Sequence, residues 1–206
     1  MKMAKQTAKK QRTVAKDRLL MDAAIKVFAV NGYYNSRVSD IAEEADVAHG
    51  LFYHYFESKE DILLKIFQDS WRRLIERIDA ISKLPDTPMQ KIRLVMEYIF
   101  LNYQQFPDLM KVLIMDVPRI NSFYDRSNQL LYGSFFKKVA DIIRQGKEEG
   151  ALKAAVSSTI SAHILVGAAD SIIRQYVYNP EFSRKKRPVD EVISQIMEVI
   201  DRGLGK

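Results

Sequence analysis

The 206-residue chain contains no cysteine and only three histidines. The lack of cysteine excludes disulfides, thiol nucleophiles and thiolate metal sites. His49 and His54 are five residues apart and would point to different faces of a helix, which disfavours a metal hydrolase. No apolar run approaches the roughly 18 residues of a membrane span, and no apolar segment follows the basic N-terminus. We therefore expect a cytoplasmic protein without a membrane span, a metal or a cofactor.

Positive charge is concentrated at the N-terminus. The chain has a formal net charge of +6, and residues 1–18 contain seven basic side chains against the single acid Asp17. The remainder of the chain is therefore neutral in sum. A polar, glycine-free basic arm of this kind is usually unfolded in isolation and is attracted to DNA or to an anionic membrane surface. A solubilising tail is the simpler interpretation of the same residues.

The apolar residues recur with helical spacing from Arg12 to the end of the chain, without a strand-like alternation or a hairpin turn. The first helix is predicted to stop at Gly32, and Ser58 is predicted to cap a long fourth helix with Asp61 in its first turn. The pattern predicts an all-α fold of about nine helices.

The last two predicted helices are distinctive. The stretch from Ile160 to Tyr178 is apolar around most of its circumference and rich in small residues, and an apolar stripe runs from Val189 to Ile200. Such surfaces need a partner, which is either the rest of the subunit or the same two helices of a second chain. We favour a homodimer formed through residues 158–179 and 188–203.

Residues 36–56 read SRVSDIAEEADVAHGLFYHYF, which predicts two short helices around a turn at Asp46. Ser36 is a natural N-cap, and the small side chain of Ala42 allows the two helices to cross closely. This spacing is typical of a helix-turn-helix. Any tight helical corner would share the apolar positions, but it would not explain the residues that point outward.

The outward residues favour an approach to a phosphate-bearing surface. Gly50 inside a short helix costs roughly 1 kcal/mol relative to Ala, which suits a backbone that approaches another molecule closely. Tyr53, His54 and Tyr55 supply polar-tipped rings, which are ordinary phosphate donors. Lys59 lies in the first turn of the fourth helix, where a bound phosphate would offset the unfavourable helix dipole.

The segment GYYNSRVSDIAEEADVAHGLFYHYFESKEDIL resembles the DNA-binding region of TetR-family transcriptional repressors, and the resemblance extends over residues 18–66. The helical remainder is similar to that family only in helix count and layout. The resemblance implies a three-helix DNA-binding domain, within residues 1–58, and a larger helical effector-binding and dimerisation domain over residues 59–206. It also implies a repressor that leaves a near-palindromic operator when a small hydrophobic effector binds.

By the same resemblance, residues 38–45 form the positioning helix and residues 48–53 the recognition helix in the major groove. The residues that it places at DNA are Ser36, Arg37, Ser39, His49, Gly50, Leu51, Tyr53, His54 and Lys59. Three positions depart from the family pattern. Asp46 replaces the usual turn glycine. Ala48 replaces the usual Ser that caps the recognition helix, so Asp46 would have to provide the cap instead. Leu51 cannot form hydrogen bonds and would read bases only by apolar contact, such as with a thymine methyl.

Acidic residues outnumber fixed cations in this region. From Arg37 to Lys59 there are five carboxylates against two fixed cations. We therefore expect DNA affinity to depend on the N-terminal arm, helix N-termini and neutral donors.

The resemblance also implies an effector pocket bounded by helices four to eight, in a region rich in methionine and aromatic residues. The candidates for its lining are Trp71, Met96, Phe100, Tyr103, Leu113, Phe135, His163 and Gly167. His163 is either a ligand contact or a structural histidine. An acyl chain, an acyl-CoA or a planar aromatic compound would suit such a pocket, and helix four would link Trp71 at the pocket to Lys59 at the DNA.

Two other classes of function compete. An enzyme would need a convergent acid–base or nucleophile constellation, and the sequence offers no supported one, so we expect no enzyme. A helical adaptor or membrane-surface module that uses the basic arm is the remaining alternative.

Overall fold

The structure, a computed structural model, describes the backbone of residues 2–153 and 155–205, with side chains described from residue 15 onward. Within these ranges it contains nine α-helices, two short 3-10 helices and no β-structure apart from one isolated bridge between Leu152 and Gly205. The all-α prediction is thereby confirmed. The helices are α1 Lys2–Asn31, α2 Val38–Glu44, α3 His49–Phe52, α4 Lys59–Ser82, α5 Pro88–Gln105, α6 Pro107–Met115, the 3-10 helices Val117–Arg119 and Asn121–Tyr124, α7 Arg126–Glu148, α8 Ser158–Tyr178 and α9 Val189–Leu204.

Local sequence explains where several helices begin and end. Helix α1 ends at Asn31, and the following Gly32 has a φ of +77° and donates its N–H to the Phe28 oxygen at 2.8 Å. The Ser58 hydroxyl caps α4 by accepting the Asp61 N–H at 3.1 Å. Both boundaries confirm the predictions from sequence. Thr87 caps α5 in the same manner as Ser58 caps α4.

Helix α1 continues through the basic arm to Lys2. The sequence predicted an arm that is unfolded in isolation, so the structure differs from that expectation. The arm is rich in Lys, Gln and Ala, which have high helix propensity, and lengthening a helix that is already nucleated is far easier than starting one. The side chains of residues 2–14 lie outside the described ones, and their attraction to polyanions stays a prediction.

Backbone contacts divide the chain into two compact units. The first comprises residues 1–69 and 108–125, and the second comprises residues 70–107 and 126–206. The first unit therefore takes in most of α6 and both 3-10 helices, which follow α5 in the chain. The domain boundary expected between residues 58 and 59 stays a prediction.

The first unit is built on apolar side chains from each of its first four helices. Leu20 of α1, Ile41 of α2, Phe52 of α3 and Ile62 of α4 are all fully buried. Burying a side chain of this size contributes roughly 1.5–3 kcal/mol, so these four residues hold the short helices α2 and α3 in place.

The second unit is an assembly of α5, α7, α8 and α9 with the later part of α4. Gly146 permits the close packing of α7 on α5, because a Cβ at that position would lie 2.6 Å from the Cβ of Pro88. The apolar stripe of α9 is buried within this same unit, at Val192, Ile193 and Met197. The subunit itself therefore supplies the partner that the stripe requires.

Candidate DNA-binding interface and effector region

Helices α2 and α3 form the corner that the sequence predicted. Ala42 is 2% exposed and accepts the Val47 N–H at 3.0 Å, which closes the turn between the helices. Asp46 adopts a φ of +51°, the left-handed conformation expected of the residue that replaces a turn glycine. No side chain caps α3 at Ala48, so the suggested substitution of Asp46 for the missing Ser cap is not observed in the described structure.

The outer surface of α3 is open to solvent. His49, Gly50, Tyr53 and His54 are exposed, while Leu51 is partly buried. The ring of Tyr53 lies edge-on to that of His49, with 5.5 Å between centroids. A Cβ built on Gly50 would meet no described atom within 4 Å outside its own stretch of helix. This glycine is therefore not required by packing inside the subunit.

The residues around the start of α2 are divided between structural and exposed positions. Ser36 is 3% exposed, and its hydroxyl donates to the Gly32 oxygen at 2.7 Å. This hydroxyl stabilises the end of α1, which differs from the DNA-facing position expected from the sequence. Arg37 and Ser39 are exposed. Asp40 accepts the Arg37 backbone N–H at 2.8 Å, so the carboxylate stabilises the first turn of α2.

Lys59 has partners inside the first unit. Its Nζ donates to the backbone oxygens of Tyr33 and Ser36, at 2.6 and 2.7 Å, and lies 4.3 Å from the centroid of the Tyr33 ring. Partial burial lowers the pKa of Lys59, although Asp40 and Asp116 oppose that shift. Lys59, which was predicted to contact a phosphate, therefore also holds the loop between α1 and α2 in place.

A second set of contacts on this loop comes from residues 108–125. Asp116 is 5% exposed and accepts the Tyr33 N–H at 3.3 Å. The Tyr34 hydroxyl donates to the Arg119 oxygen at 2.8 Å, and the Lys111 Nζ donates to the Ala29 oxygen at 2.6 Å. The end of α1 and the loop that leads to α2 thus depend on a segment from a distant part of the chain.

Burial raises the pKa of Asp116, and this effect exceeds the opposing effects of the Tyr33 N–H and of the neighbouring Arg119, Lys111 and Lys59. Sequence reasoning missed Asp116 because nothing in its local pattern indicates a contact with a residue 83 positions away.

Five of the eight predicted effector residues belong to the second unit, where four are buried and Trp71 is partly buried. Met96 and Phe100 of α5 are fully buried, and Tyr103 is 5% exposed. The Trp71 ring stacks on Tyr132 at 5.4 Å and meets Phe135 edge-on at 6.2 Å.

The remaining three candidates lie elsewhere. Leu113 is buried in the first unit. His163 is exposed and stacks on Phe136 with 4.3 Å between ring centroids. Gly167 is also exposed, and a Cβ there would meet no described atom within 4 Å outside its own helix. Both residues lie on the outer side of α8, because that helix buries Leu165 and Ala169 instead. His163 borders an open groove of about 430 Å³ between α7 and α8, which Lys137, Asp141 and Arg144 also line.

Among the described residues, no helix is long and apolar enough to cross a lipid bilayer. No group of three or more His, Cys, Asp or Glu residues among them is arranged to hold a metal ion.

Comparison with known proteins connects this geometry to a family. Residues 20–66 match the family described as bacterial regulatory proteins, tetR family, and residues 67–201 match the YsiA-like protein, C-terminal region. The fatty acid metabolism regulator protein of Bacillus subtilis (strain 168) is 28% identical over 186 residues, which are 90% of this chain and 93% of that protein.

Two solved structures share the fold of this chain over about nine-tenths of its length. The transcriptional regulator FadR from Bacillus subtilis, in complex with stearoyl-CoA, superposes with a TM-score of 0.79 at 26% identity, covering 89% of this chain and 96% of that chain. The fatty acid degradation regulator FadR from Bacillus halodurans has a TM-score of 0.81 at 22% identity, covering 90% of this chain and 94% of that chain, and shows the shared fold. These matches support a DNA-binding regulator over an adaptor or a membrane-surface module.

Proposed function

Because this chain belongs to the tetR family of bacterial regulatory proteins, we propose that it is a cytoplasmic, non-enzymatic repressor released from its operator by a long-chain acyl-CoA. The observation that carries the proposal is the open outer surface of α3 around Gly50. The relative that was solved with stearoyl-CoA supports the choice of effector.

In this proposal α3 enters the major groove. His49, Tyr53 and His54 donate to phosphates or base edges, and Leu51 contacts a thymine methyl. Gly50 brings the backbone close to the DNA. Arg37 and Ser39 are exposed at the start of α2 and contact the DNA backbone from there. Lys59 reaches a phosphate only if it exchanges one of its two carbonyl partners.

We further propose a homodimer formed through residues 158–179 and 188–203. Ile160 and Ile164 of α8 are 56% and 58% exposed, and Gly167 and Ser171 continue the same face at helical spacing. On α9, Val199 is 71% exposed. Small and apolar residues on one outer face suit a closely packed contact with the same face of a second copy. Size-exclusion chromatography with light scattering tests this, and a monomer at micromolar concentration would refute it.

A two-fold dimer presents two recognition helices to half-sites about 34–36 Å apart, so the operator is near-palindromic. Effector binding acts by favouring a conformation in which this separation is wrong. Helix α4 runs without interruption from Lys59 to Ser82 and contains Trp71, so it is the proposed connection between effector and DNA. A coupling free energy of about 1–3 kcal/mol would weaken operator binding roughly 5- to 150-fold.

The experiment selects operators from a randomised duplex library with the purified protein and then adds stearoyl-CoA to the selected complex. The proposal expects a near-palindrome to be enriched and its complex to dissociate with stearoyl-CoA. Enrichment of nothing would refute sequence-specific binding. A selected complex that persists at saturating stearoyl-CoA would refute the effector.

The variant Trp71→Ala examines the connection through α4. The loss of this ring removes the stacking on Tyr132, and we expect operator affinity to be retained while the response to stearoyl-CoA weakens. Fluorescence anisotropy of labelled operator measures both quantities. Loss of operator binding in the absence of effector would contradict the assignment.

A further inference from the structure

The loop between α8 and α9 carries four consecutive cations, Arg184, Lys185, Lys186 and Arg187, and all four are exposed. The Lys186 Nζ pairs with Glu181 at 2.5 Å. Within the described part of the chain, the other three cations form no ion pair. Three neighbouring charges on one short loop are thus left without a counter-charge.

The loop holds these cations in a defined arrangement. The Ser183 oxygen accepts the N–H groups of Lys186 and Arg187, at 3.0 and 2.9 Å, which makes a tight turn. The Tyr176 hydroxyl donates to the Arg187 oxygen at 2.7 Å and anchors the turn to α8. Ordering the backbone in advance lowers the entropic cost of binding a ligand at these side chains.

Aromatic rings orient the two guanidinium groups. Tyr103 and Tyr176 are stacked at 5.4 Å, and Phe182 meets Tyr176 edge-on at 5.2 Å. The Cζ of Arg184 lies 5.6 Å from the centroid of the Tyr103 ring, and that of Arg187 lies 4.5 Å from Phe182. A guanidinium packed on a ring keeps its N–H groups available for an acceptor, and its fork matches a phosphate group.

The same face of α5 connects this loop to the interior. Tyr103 follows Met96 and Phe100 at helical spacing, and those two residues are fully buried. A continuous strip therefore runs from an apolar interior to the ring beneath Arg184. A ligand that matches both ends has a long apolar tail and a head with several phosphates.

We propose that the loop of Arg184, Lys185 and Arg187 binds the phosphate groups of the acyl-CoA head, while the acyl chain lies along the strip of α5. This site rests on the proposed effector and adds a selection rule to it. The protein responds to the CoA thioester and discriminates against the free fatty acid of the same chain length, because the acid has no phosphate for the loop to bind.

The test compares the full-length protein with the double variant Arg184→Gln/Arg187→Gln. The control is Lys83→Gln/Arg93→Gln, which removes the same charge from exposed pairs with Asp79 and Glu97. Isothermal titration measures the affinities for stearoyl-CoA and stearate. Operator affinity is measured without effector at several salt concentrations.

We expect the loop variant to bind stearoyl-CoA at least about tenfold more weakly, since it can no longer make charged hydrogen bonds to phosphate. Its affinities for stearate and for the operator should equal those of the control. An unchanged affinity for stearoyl-CoA, or an equal loss for stearate, would overturn the site. A loss of operator affinity with a flatter salt dependence would assign the loop to the DNA backbone and overturn it as well. If the wild-type protein binds no stearoyl-CoA, the proposed effector itself is refuted.

Discussion

Substitution of Gly50 by Ala tests whether this position is glycine because the fold needs it or because DNA binding needs it. Gly50 lies in α3 without a positive φ, and a Cβ there would meet no described atom within 4 Å outside its own stretch of helix. The added methyl group therefore fits the free protein. If Gly50 is glycine because DNA approaches the backbone closely, the same methyl group would occupy space that the bound operator needs.

The two effects have opposite signs. Replacing Gly by Ala in a helix stabilises it by about 0.5–1 kcal/mol, which for a chain of this size raises the melting temperature by roughly 1–4 °C. Disturbing one close contact with the groove costs about 1–3 kcal/mol of binding, or roughly 5- to 150-fold in affinity. We thus expect a protein that is more stable but binds its operator more weakly.

Thermal melting by circular dichroism and fluorescence anisotropy with the selected operator measure the two quantities. Gly133→Ala is the matched control, because Gly133 is also a helical glycine with nothing described within 4 Å of its Cβ position, and it lies on α7. The control should gain stability and keep its operator affinity. Wild-type affinity in Gly50→Ala would refute the close approach of α3 to DNA.

Three further predictions concern the first unit. Lys59→Met removes a charged donor from two backbone oxygens and should lower the free energy of unfolding by about 1.5–3 kcal/mol in urea titrations, where an unchanged midpoint would contradict the role of its hydrogen bonds. Burial raises the pKa of Asp116 above its ordinary 3.8, so the folded protein keeps this proton to higher pH than the unfolded chain does. Unfolding free energy should then fall as pH rises between those two values, and Asp116→Asn should lack that part of the fall when melting is followed across pH; identical pH profiles would show that the carboxyl does not titrate as inferred. Deletion of residues 1–11 should weaken binding to all duplexes and flatten the salt dependence by about 0.9 for each phosphate that the arm neutralises, whereas an unchanged slope would exclude the arm from the DNA.

Features that depend on neighbours within a few residues were predictable from the sequence. The corner between α2 and α3 follows from the small side chain of Ala42, the left-handed turn at Asp46 and the apolar Phe52, all within eleven positions. Helix ends at Gly32 and Ser58 follow from capping chemistry that acts over three or four residues. Local spacing also placed Met96 and Phe100 on one buried face of α5.

The tertiary structure decided which of those surfaces meet. The sequence did not reveal that residues 108–125 join the first unit, or that Asp116 binds the Tyr33 N–H, because such contacts join positions about 80 apart that no local pattern relates. It also did not show that His163 and Gly167 face outward while the apolar stripe of α9 is buried within the subunit. Periodicity fixes the angle between side chains on one helix, but only packing against the other helices determines which face is turned inward.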